Sequence, residues 1–403
     1  MKSLSPELLV VGGGVAGCCA AISAARSGVR TLLVEQQGYI GGTGYAGMLQ
    51  HICGLYLNGD TTPAVTLNEG LTHEIVGQLK KIAPKKSVQK IGQVYVLPYA
   101  AADLQHVLNS LLAAETDLTV LHDTSAAGID MKSGIIRSVT AEALAGTRII
   151  TPAMVIDCTG NGVVAAMAGA EYELSPVQER QLAGFSIRVR GLEHDDGMLS
   201  IKVPYYCAQA VAEGTLPPRM KFTAFSYGDS PDEGFIKMSL DGDDDSDRDE
   251  RAFGYSRALL AYLGQAVPAF RDARITDMSL KVLDREGRRI IGDYMLTEED
   301  IVTARKFPDA IVRNAWPIEL WDPAQGTRYK YVPRGDYYEI PFRCINVRGI
   351  TNLLTAGRCI SVSHTALGST RVMGTCMALG EQAGRASAHF IRNGEYPVSA
   401  KLS

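Results

Sequence analysis

Residues 8–35 read LLVVGGGVAGCCAAISAARSGVRTLLVE, and the order of residue types in this stretch decides the fold. Leu8 to Val11 is a short apolar run, Ala16 to Ser27 is Ala-rich with helical spacing, and Val29 to Val34 is a second apolar run ending at Glu35. That succession predicts the start of a βαβ unit. Its turn is G-x-G-x-x-G. Gly12 permits the tight bend, Gly14 lets a phosphate approach the backbone, and Gly17 lets helix and strand pack closely. Backbone N–H groups around Val15 and Ala16, with the helix dipole behind them, then face a pyrophosphate. Glu35 ends the second strand about twenty residues on, where a carboxylate accepts hydrogen bonds from ribose hydroxyls. The pattern predicts a dinucleotide site without distinguishing one dinucleotide from another.

Outward from this unit the α/β texture returns. Asp103 to Glu115 carries Leu104, Val107, Leu108, Leu111 and Leu112 at helical spacing, and Leu118 to Leu121 follows as a strand. Between residues 170 and 340 the chain turns Tyr-, Pro- and charge-rich, with short alternating strands at Ser186 to Arg190 and Phe235 to Leu240. After Gly349 the strand-like NLLTAG leads through a polar loop to a small-residue helix, Met373 to Ile391. The expected architecture is α/β: a discontinuous Rossmann-like nucleotide domain (1–168 and 341–403) with a second, mixed-sheet α+β substrate domain (169–340).

Composition narrows the function. The 403 residues are 46% hydrophobic, enough for a large core, and the net charge of −4 with no long basic block argues against nucleic acid and anionic membrane surfaces. MKSLSPELLVVGGG lacks the regions of a signal peptide, and no apolar stretch is long enough to span a bilayer, so a cytoplasmic protein with a small-molecule partner is expected. The eight cysteines lack metal or dithiol spacing and read as buried free thiols, the adjacent Cys18 and Cys19 included. The run DGDDDSDRDE at 241–250 alternates Asp241, Asp243 and Asp245 as a calcium loop does. Ser246 stands where such a loop needs Gly and Ala252 where it needs Glu, so the run reads as a solvated loop capping the next helix, and no metal is expected.

Beyond Glu35 the chain continues QQGYIGGT (36–43), where Gly41 and Gly42 allow a second close backbone approach. This segment resembles the FAD-dependent oxidoreductase family, whose acidic residue is followed by I-G-G-x-x-T or a near variant; Thr43 stands one or two places from that hydroxyl. The resemblance recurs at IDCTGNGVVAAMAGA (156–170), at REGRRIIGDY (285–294) and most strongly at NLLTAGRCISVSHTALGSTRVMGTCMALGEQAG (352–384). It departs at Gly374, where members of the family often carry Pro. The resemblance implies FAD as cofactor, with Gly357 and Arg358 at its diphosphate or ribityl chain and Arg371, Met373 and Gly374 near the pyrimidine end of the isoalloxazine. Gln36, Ala127, Thr159, Gly160 and Ser369 complete the contacts it implies.

Hydride transfer is the cofactor's chemistry, so the protein has mainly to position a substrate C–H and supply a base. The resemblance places His364 in the loop beside the flavin, and histidine exchanges protons near neutrality. It also places the segment of Tyr45 and His51 over the ring system, where either lines a pocket or simply packs. Tyr338 and Arg343 flank YEIPFR, and an arginine there can clamp a substrate carboxylate or make a structural ion pair. Arg285, Glu286, Arg288 and Arg289 read as an interdomain salt-bridge network without a catalytic role. The expected function is a flavoenzyme that takes a hydride from a C–H beside nitrogen, oxygen or a carbonyl and is reoxidised by oxygen, a quinone or a carrier protein; whether it works as a monomer or a homo-oligomer is left open by the sequence. Two alternatives remain at this point: an NAD(P)-linked flavin reductase, although no second G-x-G-x-x-G follows a strand, and a flavin-binding electron-transfer subunit of a larger complex.

Overall fold

Leu8, Leu9, Val10 and Val11 alternate sides of an extended strand, and all four are buried because both faces of the sheet they enter are covered. The computed structural model describes residues 2–193 and 197–397; residues 398–403, the end of the expected C-terminal segment, lie outside them. The central sheet has five parallel strands in the order Leu353–Thr355, Met154–Asp157, Leu8–Val11, Thr31–Val34, Leu118–Leu121. Leu8 pairs with Thr31 and Met154, and Thr31 with Leu118, so the strands end level and their C-terminal turns form one rim. This is the mixed α/β fold with a Rossmann-type sheet that the βαβ pattern predicts, and the last strand does return from the far end of the chain.

The helix Val15–Arg26 is buried along all but its last residue. Its inner face meets the sheet and its outer face the C-terminal helix Met373–Asn393. The two helices approach backbone to backbone: a Cβ added at Gly380 would stand 2.0 Å from the Ala16 carbonyl oxygen, and one at Gly384 2.3 Å from that of Ala20. The small residues of both helices are there for this approach. Cys18 and Cys19 are wholly buried in the same contact, and burial pushes the Cys18 thiol up to about 12 and that of Cys19 well above its ordinary value.

On one side of the parallel sheet lies a second sheet that the sequence reading does not contain, Lys2–Leu4, Gly146–Ile150, Ile135–Ala143 and Thr124–Lys132. It is tied down by Asn352, whose amide donates to the Ile136 and Ala153 carbonyls and accepts from the Ile136 N–H.

A further four-stranded antiparallel sheet, Ala224–Tyr227, Glu233–Leu240, Ala183–Arg190 and Arg274–Met278, has its own core with the helices Leu199–Ala212 and Arg248–Ala266. Phe185, Ile187, Ile236 and Met238 face that core, which by strand alternation turns Ser186 and Lys237 to the opposite side. That side rests on the loop after the paired glycines: Leu280 N–H donates to the Ala46 carbonyl, Ser279 Oγ to that of Gly47, and Ser226 Oγ to Gln50. This second core runs from Ala183 to Val282, whereas Leu296, Ile318, Leu320, Tyr338 and Ile340 pack into the main core. The acidic run at 241–250 leads into the helix Arg248–Ala266, but the N-cap Asp247 makes no side-chain cap bond: it pairs with Arg251, as do Asp243 and Asp245, while Asp241 pairs with Arg219.

Candidate functional site

The glycine turns converge at the rim of the parallel sheet. Gly12 has a φ of +104°, and a side chain on it would stand 2.6 Å from the Cys158 carbonyl oxygen, so only glycine closes this bend. Gly17 is packed harder, its would-be Cβ 1.8 Å from the Gly12 carbonyl oxygen. Gly14, between them, has no atom within 4 Å of the same position. The space lies at the N-terminus of the helix Val15–Arg26, whose first intrahelical bond is from Cys18 to Gly14, leaving the N–H groups of Val15, Ala16 and Gly17 without helical partners. An open cradle lined by free N–H groups at a helix N-terminus fits a pyrophosphate.

Around it the structure assembles the other glycine segments. Gly41 donates its N–H to the Gly13 carbonyl, and Gly42 lies so close to Gly14 that a Cβ there would be 2.9 Å from the Gly14 Cα. Gly357 abuts Ala16, and Gly160 abuts Arg358. Glu35 is buried and accepts from the N–H of Gly13 at 2.5 Å and of Gln37 at 2.8 Å, one on each oxygen, which leaves each oxygen a lone pair for a ribose hydroxyl. Gln36 and Thr43 are exposed beside these turns; Ala127 is exposed at a register shift of Thr124–Lys132, a strand anchored by Thr124 N–H to the Glu35 carbonyl. At the other end of the cradle Thr370 Oγ1, Arg371 Nε and Thr375 Oγ1 are buried without hydrogen-bond partners, donors that an additional polar group would satisfy. Met373 is held there by Tyr99, whose hydroxyl donates to the Gly44 carbonyl and approaches Met373 Sδ.

The departure at Gly374 has a physical reason. Its N–H donates to the Cys53 carbonyl, and a Cβ would stand 2.7 Å from the carbonyl carbon and oxygen of Gly54, so a proline would lose the bond and collide. Gly374→Ala is expected to cost about 1–3 kcal/mol in urea unfolding, as overpacking against rigid backbone does.

Other expected residues turn inward. Tyr338 is fully buried, with its hydroxyl bonded to Asn314 and to Ser369 Oγ, and Ser369 donates in turn to the Trp316 carbonyl; this chain holds the Ile318–Asp322 hairpin and presents neither residue to a ligand. Arg343 is clamped bidentately by Asp309 at 2.9 and 3.1 Å, which makes it the structural ion pair. Thr159 spends its hydroxyl on Asp157 and on the N–H of Val163, capping the short helix Val163–Met167. Arg358 donates to the carbonyls of Asp284 and Glu286, drawing the 284–286 segment onto the rim. His51, half-buried on a short edge strand, is pushed below its ordinary value chiefly by burial.

His364 is the first residue of the helix His364–Thr370 and is partly open to solvent. Its Nδ1 lies 3.0 Å from Glu286 Oε1 and 3.2 Å from Ser175 Oγ. Glu286 is buried and also accepts from Ser175, Arg289 and the Gln181 N–H. Burial alone would raise its carboxyl, but the bonds from His364 and Ser175 outweigh that and hold it down at about 2. A carboxylate accepts only, so Nδ1 carries the hydrogen and Nε2 is left as the acceptor. Because the carboxyl lies lower folded than unfolded, its stabilisation is complete above the unfolded value of about 4.3 and is lost as pH falls from there toward about 2. The melting temperature should fall through that window, and less steeply in Glu286→Gln.

Sequence reasoning placed Glu286 in a salt-bridge network with Arg285, Arg288 and Arg289. Arg289 does pair with Glu286 and Glu173, but Arg288 lies over the Tyr172 ring and bonds the Asn161 carbonyl, and Arg285 lies over Trp321. The reading also passed over Lys237, whose signal was a charge between the apolar Ile236 and Met238 in a mostly apolar run.

The level parallel strands, the open glycine cradle and the carboxylate ending the second strand define a Rossmann-type dinucleotide-binding protein. The sequence profile of the FAD dependent oxidoreductase family matches residues 7–401; the chain belongs to that family, and its cofactor is FAD. None of the curated proteins matches the chain in sequence. Solved structures of similar fold include a geranylgeranyl bacteriochlorophyll reductase-like protein from Thermoplasma acidophilum, 12% identical with a TM-score of 0.51, the match covering 98% of this chain and 81% of that one. An anhydrotetracycline hydroxylase from Streptomyces rimosus is 13% identical with a TM-score of 0.54, over 98% of this chain and 64% of the other. An aromatic hydroxylase from angucycline biosynthesis is 14% identical with a TM-score of 0.54, over 97% and 63%. The chain thus spans less than two thirds of the length of the two hydroxylases, and at these identities the likeness is one of fold. Among the described residues no helix is long and apolar enough to cross a membrane.

Proposed function

We infer that the protein oxidises a small organic substrate, removing a hydride from a C–H beside nitrogen, oxygen or a carbonyl, with His364 as the base. The observation that carries this reading is the Glu286–His364 pair, which fixes the imidazole with Nε2 as its acceptor. FAD, when bound, supplies the redox chemistry by taking the hydride. The turn Gly12, Gly14, Val15, Ala16 and Gly17 would hold its pyrophosphate, Glu35 a ribose, and Gln36 and Ala127 the adenine side. Gly41, Gly42, Thr43, Gly160, Gly357 and Arg358 would line the dinucleotide's length, and Arg371, Met373 and Gly374 its far end.

The substrate proton goes to His364 Nε2, and the resulting imidazolium is stabilised by Glu286, which keeps its charge because Arg289 and the Gln181 N–H also bond it. The antiparallel sheet 183–278 and the segment after it rest on the loop 46–50, and this cover would exclude water from the substrate side. We place this unit at the centre of the substrate domain. Eight free thiols suit a reducing compartment such as the cytoplasm.

Acid precipitation of the purified protein should release FAD, and an anaerobic screen of amines, hydroxy acids and amino acids should find a substrate that bleaches the flavin's visible absorption. Bleaching by NADH or NADPH alone would overturn the reading in favour of a reductase.

A further inference from the structure

We propose that Lys237 and Arg285, gathered over the indole of Trp321, form a subsite for an oxyanion on the substrate, a carboxylate or a phosphate. The proposal rests on the substrate-oxidation reading above and names the class of molecule that site takes.

Lys237 Nζ lies 4.3 Å from the Trp321 ring centroid and Arg285 Cζ 3.8 Å. Arg371 joins the same patch from the C-terminal turn, donating to the Glu319 carbonyl at 3.0 Å and to Gln181 Oε1, which also accepts from the backbone N–H of Trp321. Arg285 donates to the Leu182 carbonyl. Every one of these partners is neutral, and among the described residues no carboxylate comes within 4.0 Å of any of the three cations. The carboxylate of Glu319, on the same strand as Trp321, is bonded instead by the Tyr329 hydroxyl. Gln181 is only 2% exposed and its Nε2 has no partner, which adds a buried donor to the patch, as does the unpartnered Arg371 Nε.

Arg285 is buried and Lys237 and Arg371 partly so, and the Glu319 carboxylate acts on all three only from beyond 4.0 Å; cations held this way without a bonded counter-ion are costly, and stacking on one indole offsets only part of that cost. Burial, and after it the charge of Arg285, push Lys237 down to about 8; burial, and after it Arg371, push Arg285 down to about 9. An arrangement that disfavours its own charges gains most from an incoming anion, and a guanidinium fork beside an ammonium matches the oxygens of a carboxylate or phosphate. The location agrees. Lys237 stands on the sheet side that covers residues 46–50, and Arg371 opens the turn in which Gly374 bonds the Cys53 carbonyl. Arg343, where the sequence offered a carboxylate clamp, is already occupied by Asp309.

The test uses the FAD-loaded protein and reads perturbation of the flavin's visible spectrum on titration with benzoate, pyruvate and glycerol 3-phosphate, with benzamide and glycerol as uncharged counterparts. At least one anion should perturb the spectrum at concentrations where its uncharged counterpart does not, and whether carboxylate or phosphate does so identifies the source. Lys237→Met and Arg285→Met should each weaken that binding about 30-fold or more. Both should keep their FAD; Lys237→Met should melt no lower than the parent, because it replaces a partly buried charge that has no ion-pair partner, whereas Arg285→Met should melt slightly lower, because the Leu182 carbonyl loses its donor. Equal binding of benzoate and benzamide, no response to any anion, or unchanged binding in both variants would overturn the proposal. Failure of the oxidation reading shows separately, as anion binding to a flavin that no substrate bleaches.

Discussion

Gly14→Val should leave the protein folded and deprive it of FAD. At φ −67° and ψ 178° the backbone of Gly14 is in a region open to any L-residue, and the position a Cβ would take has no atom within 4 Å. A branched side chain there starts from an unobstructed Cβ, but it fills the space in front of the free N–H groups of the first helical turn, where we place the pyrophosphate. The purified variant should be colourless, with a melting temperature within a few degrees of the parent apoprotein. The neighbouring glycine supplies the contrast. Gly17→Ala puts a methyl 1.8 Å from the Gly12 carbonyl oxygen, so the helix has to leave the sheet and the fold is lost along with the cofactor. A Gly14→Val protein that kept full flavin absorbance would move the pyrophosphate elsewhere.

His364→Asn should slow reduction of the bound flavin by ~10²–10⁴-fold, the range that a positioned general base contributes, with FAD content unchanged. Stopped-flow reduction by whichever substrate the anaerobic screen identifies is the measurement. Glu286→Gln should slow it less, by about tenfold or more, since the imidazole remains but loses the carboxylate that fixes its tautomer and stabilises its charge. Rates indistinguishable from the parent in both variants would remove His364 from the chemistry.

The sequence alone settled the fold class and the glycine turn at the rim of the parallel sheet. Residues 8–35 did so because every device in them is local: strand, glycine turn, small-residue helix and carboxylate act within a single βαβ unit. The boundaries of that unit were read to within one or two residues, and the C-terminal helix was read from Met373 for the same reason. The sheet Thr124–Ile150 went unread because its strands are half-exposed with mixed polarity, and the ties that fix it, to Asn352 more than 200 residues on and to the Glu35 carbonyl, are long-range. The roles of Tyr338, Ser369 and Arg343 depended on which neighbour reached them first, Asn314, Trp316 or Asp309, and no spacing encodes that. Glu286 and His364 stand 78 residues apart, and Lys237, Arg285 and Trp321 come from three different segments. Sequence determined the glycine turn and the helix end behind it, since backbone conformation and helix ends are properties of neighbouring residues. Tertiary structure decided which charges meet beside it, since a charge's partner and its burial are set by long-range packing.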